Sequence, residues 1–199
     1  MDGMEKLLLH LGGKSLLELI VARVAPQVDA IAINVRDSLR DQYDTRVARE
    51  TAIVFDPFAG RCGPLGGVVA GLAWLSGLGP EFEWLATFPG DTPFLPRNLV
   101  SELKASLQAG SSRPVVAFSQ ERIQSLCALW PKSLLRELSQ GVQDGRLRSV
   151  SAALDEFESI RVPIGPADAF LNLNTKRDLA EAERLVEKRP ELLCVNGTA

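Results

Sequence analysis

The sequence predicts an α/β protein: a three-layer, doubly wound arrangement around a mostly parallel sheet. Three observations predict it. Apolar runs alternate with helical patterns through most of the chain, as in folds whose helices cover a parallel sheet. Trp84-Leu85-Ala86-Thr87-Phe88 is a continuous apolar run, the pattern of a strand buried in a parallel sheet, and it ends abruptly in a turn carrying Asp91. No internal repeat, low-complexity tract or linker interrupts the alternation, so 199 residues with 46% hydrophobic content form one domain of ordinary size. We place that domain at residues 1–189 and a flexible C-terminal tail at 190–199.

The elements follow in order. Ser15-Leu16-Leu17-Glu18 is a capping box; Leu16, Leu19, Ile20 and Val24 then fall at helical spacing, and Pro26 ends the segment. Val28 to Val35 reads as a strand, Ser38 to Arg49 as a polar, weakly patterned helix, and Ala52-Ile53-Val54-Phe55 as a short buried strand stopped by Asp56-Pro57. Gly66 to Leu78 is a small-residue helix suited to close packing on a sheet. After the Asp91 turn, Arg97 to Ala109 reads as a helix. Pro114 to Phe118 and Ser125 to Trp130 read as strands, the second an antiparallel candidate. Pro131 to Ser139 suits a helix with proline in its first turn, and Ser149 to Phe157 a short one. Ile160-Arg161-Val162-Pro163 reads as an edge strand, because proline cannot donate to a ladder. Thr175-Lys176-Arg177-Asp178 opens the last helix, which runs to about Lys188.

Composition excludes several functions. A net charge of −3 with 24% charged residues offers no basic face for a nucleic-acid backbone or an anionic membrane. No apolar run reaches the roughly 18 residues of a membrane span, and Asp2, Glu5 and Lys6 occupy the place of a signal peptide's apolar core. The expectation is a cytoplasmic protein with neither nucleic-acid nor membrane partners. Cys62, Cys127 and Cys194 are odd in number and scattered, so neither a disulfide framework nor a Cys/His zinc cluster is expected. Cys62, in a glycine-rich loop, reads as a free small side chain. His10 is the only histidine; it falls in a polar turn and is assigned no catalytic role.

The chemistry concentrates at Asp91. Ligands of open α/β sheets gather at the carboxyl ends of the strands, and one carboxylate there can hold Mg²⁺ against substrate phosphates. Taken alone, an aspartate in a loop as readily caps a turn. Its surroundings, Pro89-Gly90-Asp91-Thr92-Pro93-Phe94-Leu95-Pro96, resemble the metal-binding segment of the molybdenum cofactor guanylyltransferases, usually Pro-Cys-Asp-Thr-Pro followed by an aromatic residue, Leu or Ile, and Pro. Other stretches resemble that family in the same order. Lys6 with Leu7-Leu8-Leu9 and Leu11-Gly12-Gly13-Lys14 is similar to Lys-x-Leu-Leu-x-Leu-x-Gly-Lys, and Ala32-Ile33-Asn34-Val35-Arg36 to Asn-x-Asn-Arg with one asparagine kept. Asp56 with Gly63-Pro64-Leu65-Gly66-Gly67 is similar to an aspartate followed by Gly-Pro-Leu-Ala-Gly, and Phe170 to Thr175 to Phe-x-Asn-x-Asn-Thr. The likeness spans Met1 to about Arg189.

The resemblance implies a Rossmann-like nucleotidyltransferase that moves GMP from GTP to molybdenum-bound molybdopterin, releasing pyrophosphate. It implies Mg²⁺ on Asp91, Lys6 against the triphosphate, and Asn34, Asp56, Gly63 and Gly66 at the nucleotide. Asn172 and Asn174 would lie on the molybdopterin side. Molybdoenzymes or their chaperones would receive the product. The physical readings agree: lysine meets phosphates as a point charge, amide and carboxylate groups at strand ends bond a ribose or base edge, and glycine admits close backbone approach. Asn172 and Asn174 alternate along an extended segment and so face the same way. Without the motif, each of these residues reads as an ordinary turn, cap or surface group.

Three departures stand out. The family's opening strand and Gly-Gly loop, which presents amides to GTP, have no counterpart before Met1, as a start placed too far downstream or a deletion would each produce. The first strand is therefore expected to be absent from the chain. Gly90 stands for the usual cysteine, and Gln124-Ser125-Leu126 for His-Pro-Leu. Two other readings stay open: a related cytidylyl- or sugar nucleotidyltransferase, which Asp91-Thr92-Pro93 disfavours, and a non-catalytic pterin-binding protein.

Overall fold

A computed structural model describes residues 9–35, 51–58 and 62–193. Lys6, the helix expected at Ser38 to Arg49, and Cys194 lie outside the described residues. In chain order the elements are β1 (His10–Leu11), β2 (Lys14–Ser15), α1 (Leu16–Val24), β3 (Ala32–Val35), β4 (Ala52–Phe55), α2 (Pro64–Leu78), β5 (Trp84–Thr87), α3 (Leu99–Lys104), β6 (Val115–Ser119), β7 (Arg122–Pro131), α4 (Leu135–Gln143), α5 (Val150–Glu156), β8 (Ile160–Pro163) and α6 (Lys176–Lys188). The chain divides into two compact units: Met1–Asp29 with Pro89–Leu99 and Gly165–Ala199, and Ala30–Phe88 with Val100–Ile164.

In the first unit the Ser15–Glu18 capping box forms as the spacing predicts. The Glu18 amide donates to the Ser15 hydroxyl at 3.2 Å, and the Ser15 amide donates to the Glu18 carboxylate at 2.7 Å. These bonds hold the Glu18 carboxyl below its usual range, the Ser15 bonds being the main cause. Thr175 caps α6 in the same way, with Asp178 reaching back. Leu11, Leu16, Leu19, Phe94, Leu173 and Ala182 make this unit's core. Residues Pro190–Leu192, expected within a flexible tail, instead form a 3₁₀ turn, and Leu192 and Leu193 pack against that core. Apolar burial at the turn is what orders it.

In the second unit β3 and β4 pair in parallel, with Ala32 opposite Ala52, and β5, β7, β6 and β8 form a sheet in that order. β6 and β8 are parallel, while β7 runs antiparallel to both its neighbours. The sheet is thus mixed. The cause is local: Gln120 and Glu121 both have positive φ, 52° and 59°, the conformation of a two-residue hairpin turn between β6 and β7. β8, ending in Pro163, is an edge of this sheet, as its proline requires. β4 is half-buried rather than buried along its length. Helix α2 lies against β3, β4 and β5. Its Leu65 and Leu72 share a core with Val116, Trp130, Leu138 and Leu154 of β6, β7, α4 and α5.

Several bounds differ from the periodicity. β3 begins at Ala32 rather than Val28, because Val28 closes the turn that follows α1. α3 covers only Leu99–Lys104 of the expected Arg97 to Ala109. Arg97 and Asn98 sit in a turn in which the Leu99 amide donates to the Pro96 carbonyl. Pro131 ends β7 and caps a short 3₁₀ turn, so α4 starts four residues later, at Leu135.

Candidate functional site

In the first unit, Asp91 stands on a half-buried turn beyond β5, followed by buried Thr92, Pro93, Phe94 and Leu95. The Pro93 and Pro96 rings and the buried side chains of Thr92, Phe94 and Leu95 fix the backbone here, so the Asp91 carboxylate is carried by a stiff loop. The Leu173 amide donates to the backbone carbonyl of Asp91 at 2.8 Å. Leu173 is fully buried, while its neighbours Asn172 and Asn174 are exposed and share a side-chain hydrogen bond, Asn174 Nδ2 donating to Asn172 Oδ1 at 2.6 Å. The alternation read from the sequence therefore places both asparagines on one face, one residue either side of the bond to Asp91. The Asp178 carboxylate accepts from the Asn174 and Thr175 amides at 2.9 and 2.8 Å, tying the asparagine pair to the first turn of α6.

In the second unit, β3 and β4 deliver Asn34 and Asp56 to the start of α2. The carboxylate of Asp56 accepts from the Phe58 amide at 2.7 Å and lies over Gly66, where a Cβ would come within 2.2 Å of its Oδ1. The Asn34 Oδ1 lies 2.8 Å from the place a Cβ on Gly67 would occupy. Side chains at both strand ends therefore meet the helix only because residues 66 and 67 lack side chains. Gly63 caps α2 at φ 56° and ψ −138°, a backbone conformation that L side chains rarely adopt, and Pro64 opens the helix. At the helix N-terminus the Leu65 and Gly66 amides donate to the Cys62 and Gly63 carbonyls at 3.3 Å, and the positive end of the helix dipole lies beside Asn34 and Asp56, a polar surface fit for a nucleotide's hydroxyl, base-edge or phosphate oxygens.

Cys62, beside this turn, is buried and unpaired in any disulfide. Burial pushes its thiol pKa up, and the nearby Asp56 charge adds to the shift. A thiol so held is a packing group, as its sequence context suggested.

Asp91, Asn172 and Asn174 thus share the first unit, and Asn34, Asp56, Gly63 and Gly66 share the second. Two contributions escaped the sequence reading. Gly67 admits Asn34, and the only signal for it was that two glycines adjoin. Arg23 and Gln27 grip the Asp91 loop by its carbonyls. Their signal was an arginine at 23 on the buried stripe of α1, three residues after Ile20, and a glutamine four residues later in the turn that follows the helix.

Among the described residues no group of three or more His, Cys, Asp or Glu could hold a metal. A lone, hard carboxylate does not make a resident metal site. It fits Mg²⁺ arriving with substrate phosphates, which binds through one or two carboxylates and keeps waters. Among the described residues no helix is long and apolar enough to cross a membrane.

The chain resembles known proteins in both sequence and fold. The model of the MobA-like NTP transferase domain matches residues 1–157. The molybdenum cofactor guanylyltransferase of Rhodopseudomonas palustris (strain HaA2) is 36% identical over 195 residues, covering 96% of this chain and 88% of that protein. The protein of the same name from Rhizobium meliloti (strain 1021) is 35% identical over 188 residues, covering 91% and 84%. Among solved structures, molybdopterin-guanine dinucleotide biosynthesis protein A from Archaeoglobus fulgidus superposes with a TM-score of 0.74 at 22% identity, covering 94% of this chain and 92% of that one. The 4-diphosphocytidyl-2C-methyl-D-erythritol synthase of Anaerococcus prevotii superposes with a TM-score of 0.68 at 15% identity, covering 89% and 88%, a likeness of fold alone. With that fold, and with relatives above 30% identity over nearly its whole length, the chain belongs to the MobA-like NTP transferase family, among the molybdenum cofactor guanylyltransferases.

Proposed function

We propose that this chain transfers GMP from GTP to molybdenum-bound molybdopterin, forming the guanine dinucleotide cofactor, with residues 1–189 acting as the nucleotidyltransferase domain. The phosphate oxygen of molybdopterin attacks the α-phosphorus of GTP. The bond from that phosphorus to the β-phosphate oxygen breaks, and pyrophosphate leaves. One observation carries the reading: the backbone bond between Leu173 and Asp91 joins the proposed metal carboxylate to the segment that displays Asn172 and Asn174. A metal-bound phosphate and a pterin need such a shared support, because transfer between two anions depends on orientation and charge neutralisation.

Asp91 would hold Mg²⁺. The ion would supply positive charge to offset the negative charge that develops on the phosphates during transfer. Asn34 and Asp56 would orient the nucleoside by hydrogen bonds, with Gly63 and Gly66 giving the backbone close access. Asn172 and Asn174 would present amide donors and acceptors to the pterin. Lys6 would meet the triphosphate as a point charge.

Asp91→Ala is the direct test, with GMP transfer read as pyrophosphate release. Loss of several kcal/mol of transition-state stabilisation corresponds to a fall of about 10³-fold in turnover. An Asp91→Ala protein that retains Mg²⁺-dependent turnover would overturn the metal assignment. Competition between GTP and CTP in the same assay separates the guanylyl reading from a cytidylyl one, and GTP is the expected winner.

A further inference from the structure

Arg23 is buried, 8% exposed, yet no ion pair joins it among the described residues. Its guanidinium instead spans two backbone carbonyls, donating from Nη1 to Leu95 at 3.1 Å and from Nη2 to Leu192. One turn on, Gln27 Nε2 donates to the Pro96 carbonyl at 3.1 Å and to the carbonyl of Arg23 itself at 2.9 Å. Burial, and secondarily the charge of Arg97, depress the Arg23 pKa, although a guanidinium remains charged at any physiological pH.

A desolvated cation without an anion is costly, and an apolar residue would suit the buried stripe of α1 better for stability alone. What the guanidinium gains is geometry: a planar fork reaches two segments at once, and one of them is the loop that carries Asp91. Only three residues separate Asp91 from Leu95, with Pro93 among them and Phe94 and Leu95 buried, so a fixed Leu95 carbonyl limits where the carboxylate can sit. The Asp91 end of the loop is held by the Leu173 amide.

We propose that Arg23, assisted by Gln27, is a positioning residue for the reaction: it sets the place of the Asp91 carboxylate by gripping the loop at Leu95 and Pro96. The inference rests on the GMP-transfer reading for its kinetic consequence, but not for its structural one. The test compares Arg23→Met, Arg23→Lys and Gln27→Ala in the full chain. Hydrogen exchange without any nucleotide follows the Leu173 amide, which reports the loop, and the Leu179 amide in α6, bonded to the Thr175 carbonyl, which reports the fold. In Arg23→Met the Leu173 protection should fall at least about tenfold while that of Leu179 is kept. Gln27→Ala should show the same selectivity to a smaller extent and serves if Arg23→Met does not fold. Turnover should fall about tenfold with the KM for GTP within about twofold, and lysine, which keeps the charge and one donor, should restore part of it. A uniform fall in protection, or unchanged Leu173 exchange with unchanged kcat, would overturn the proposal. Selective exchange in a protein that does not transfer GMP would leave the loop clamp standing and remove only its catalytic meaning.

Discussion

The Leu173 amide and the Asp91 carbonyl, 2.8 Å apart, join the loop with the acidic side chain to the segment with the two exposed asparagines. Because the bond is between backbones, substitutions at either face alter chemistry without dissolving the support. Asn172→Ala and Asn174→Ala remove exposed amides, so each melting temperature should stay within about 2 °C of the parent. The KM for molybdopterin should rise about five- to tenfold, the value of one hydrogen bond of roughly 1 kcal/mol, with that for GTP unchanged. Steady-state titrations of each substrate decide this. A rise confined to GTP would move the pair to the nucleotide side.

Gly67→Ala separates stability from binding at the other group of residues. Alanine favours the helix by about 0.5–1 kcal/mol, so α2 should become slightly more stable. Its Cβ, however, would fall 2.8 Å from the Asn34 Oδ1, and that side chain must turn away. A raised melting temperature with a several-fold weaker affinity for Mg²⁺-GTP is the expected outcome, measured by calorimetry. Unchanged affinity would remove Asn34 from the nucleotide contacts.

Much of this arrangement was legible because it is locally encoded. Ser15 with Glu18, and Thr175 at the start of α6, carry their capping chemistry within one turn of sequence. Pro163 announces an edge, and alternation alone orients Asn172 and Asn174. What escaped depends on contacts between distant segments or on unusual turn residues. The Gln120-Glu121 turn has two positive φ values without the asparagine or glycine that normally signals them, so the hairpin that makes the sheet mixed had no composition cue. Arg23 meets Leu95 across 72 positions, and nothing near it in sequence names that partner.

The thiols give a prediction on reactivity. Cys62 and Cys127 are both buried, and Cys62 is pushed further toward its protonated form by burial and by Asp56. In the native protein at least two of the three cysteines should resist a thiol reagent such as DTNB at pH 8, and urea should expose all three. Cys62→Ala should leave turnover unchanged, since no step uses its sulfur. Rapid modification of Cys62 with loss of GTP binding would make it part of the nucleotide site.

Acid stability should report the cap that holds Asn174. Hydrogen bonds from the Thr175 and Asn174 backbones, the first being the larger cause, hold the Asp178 carboxyl below its ordinary value of 3.8. A carboxyl depressed on folding contributes stability above its unfolded pKa and loses it as pH falls through the folded one. The contribution of Asp178 is therefore complete at neutral pH, begins to fade near pH 3.8 and is gone below the folded value. Asp178→Asn keeps an oxygen that can accept the same amides but carries no titrating charge. Its melting temperature should consequently lie below the parent's at pH 7, with the gap closing as the pH drops below about 4. Thr175→Ala removes the other half of the box, a loss of about 1 kcal/mol or 2–4 °C. Its effect should persist at both pH values, because a hydroxyl does not titrate there. Calorimetric melting of the three proteins between pH 3 and 7 checks both slopes. A gap between parent and Asp178→Asn that widens on acidification would reverse the sign assigned to Asp178.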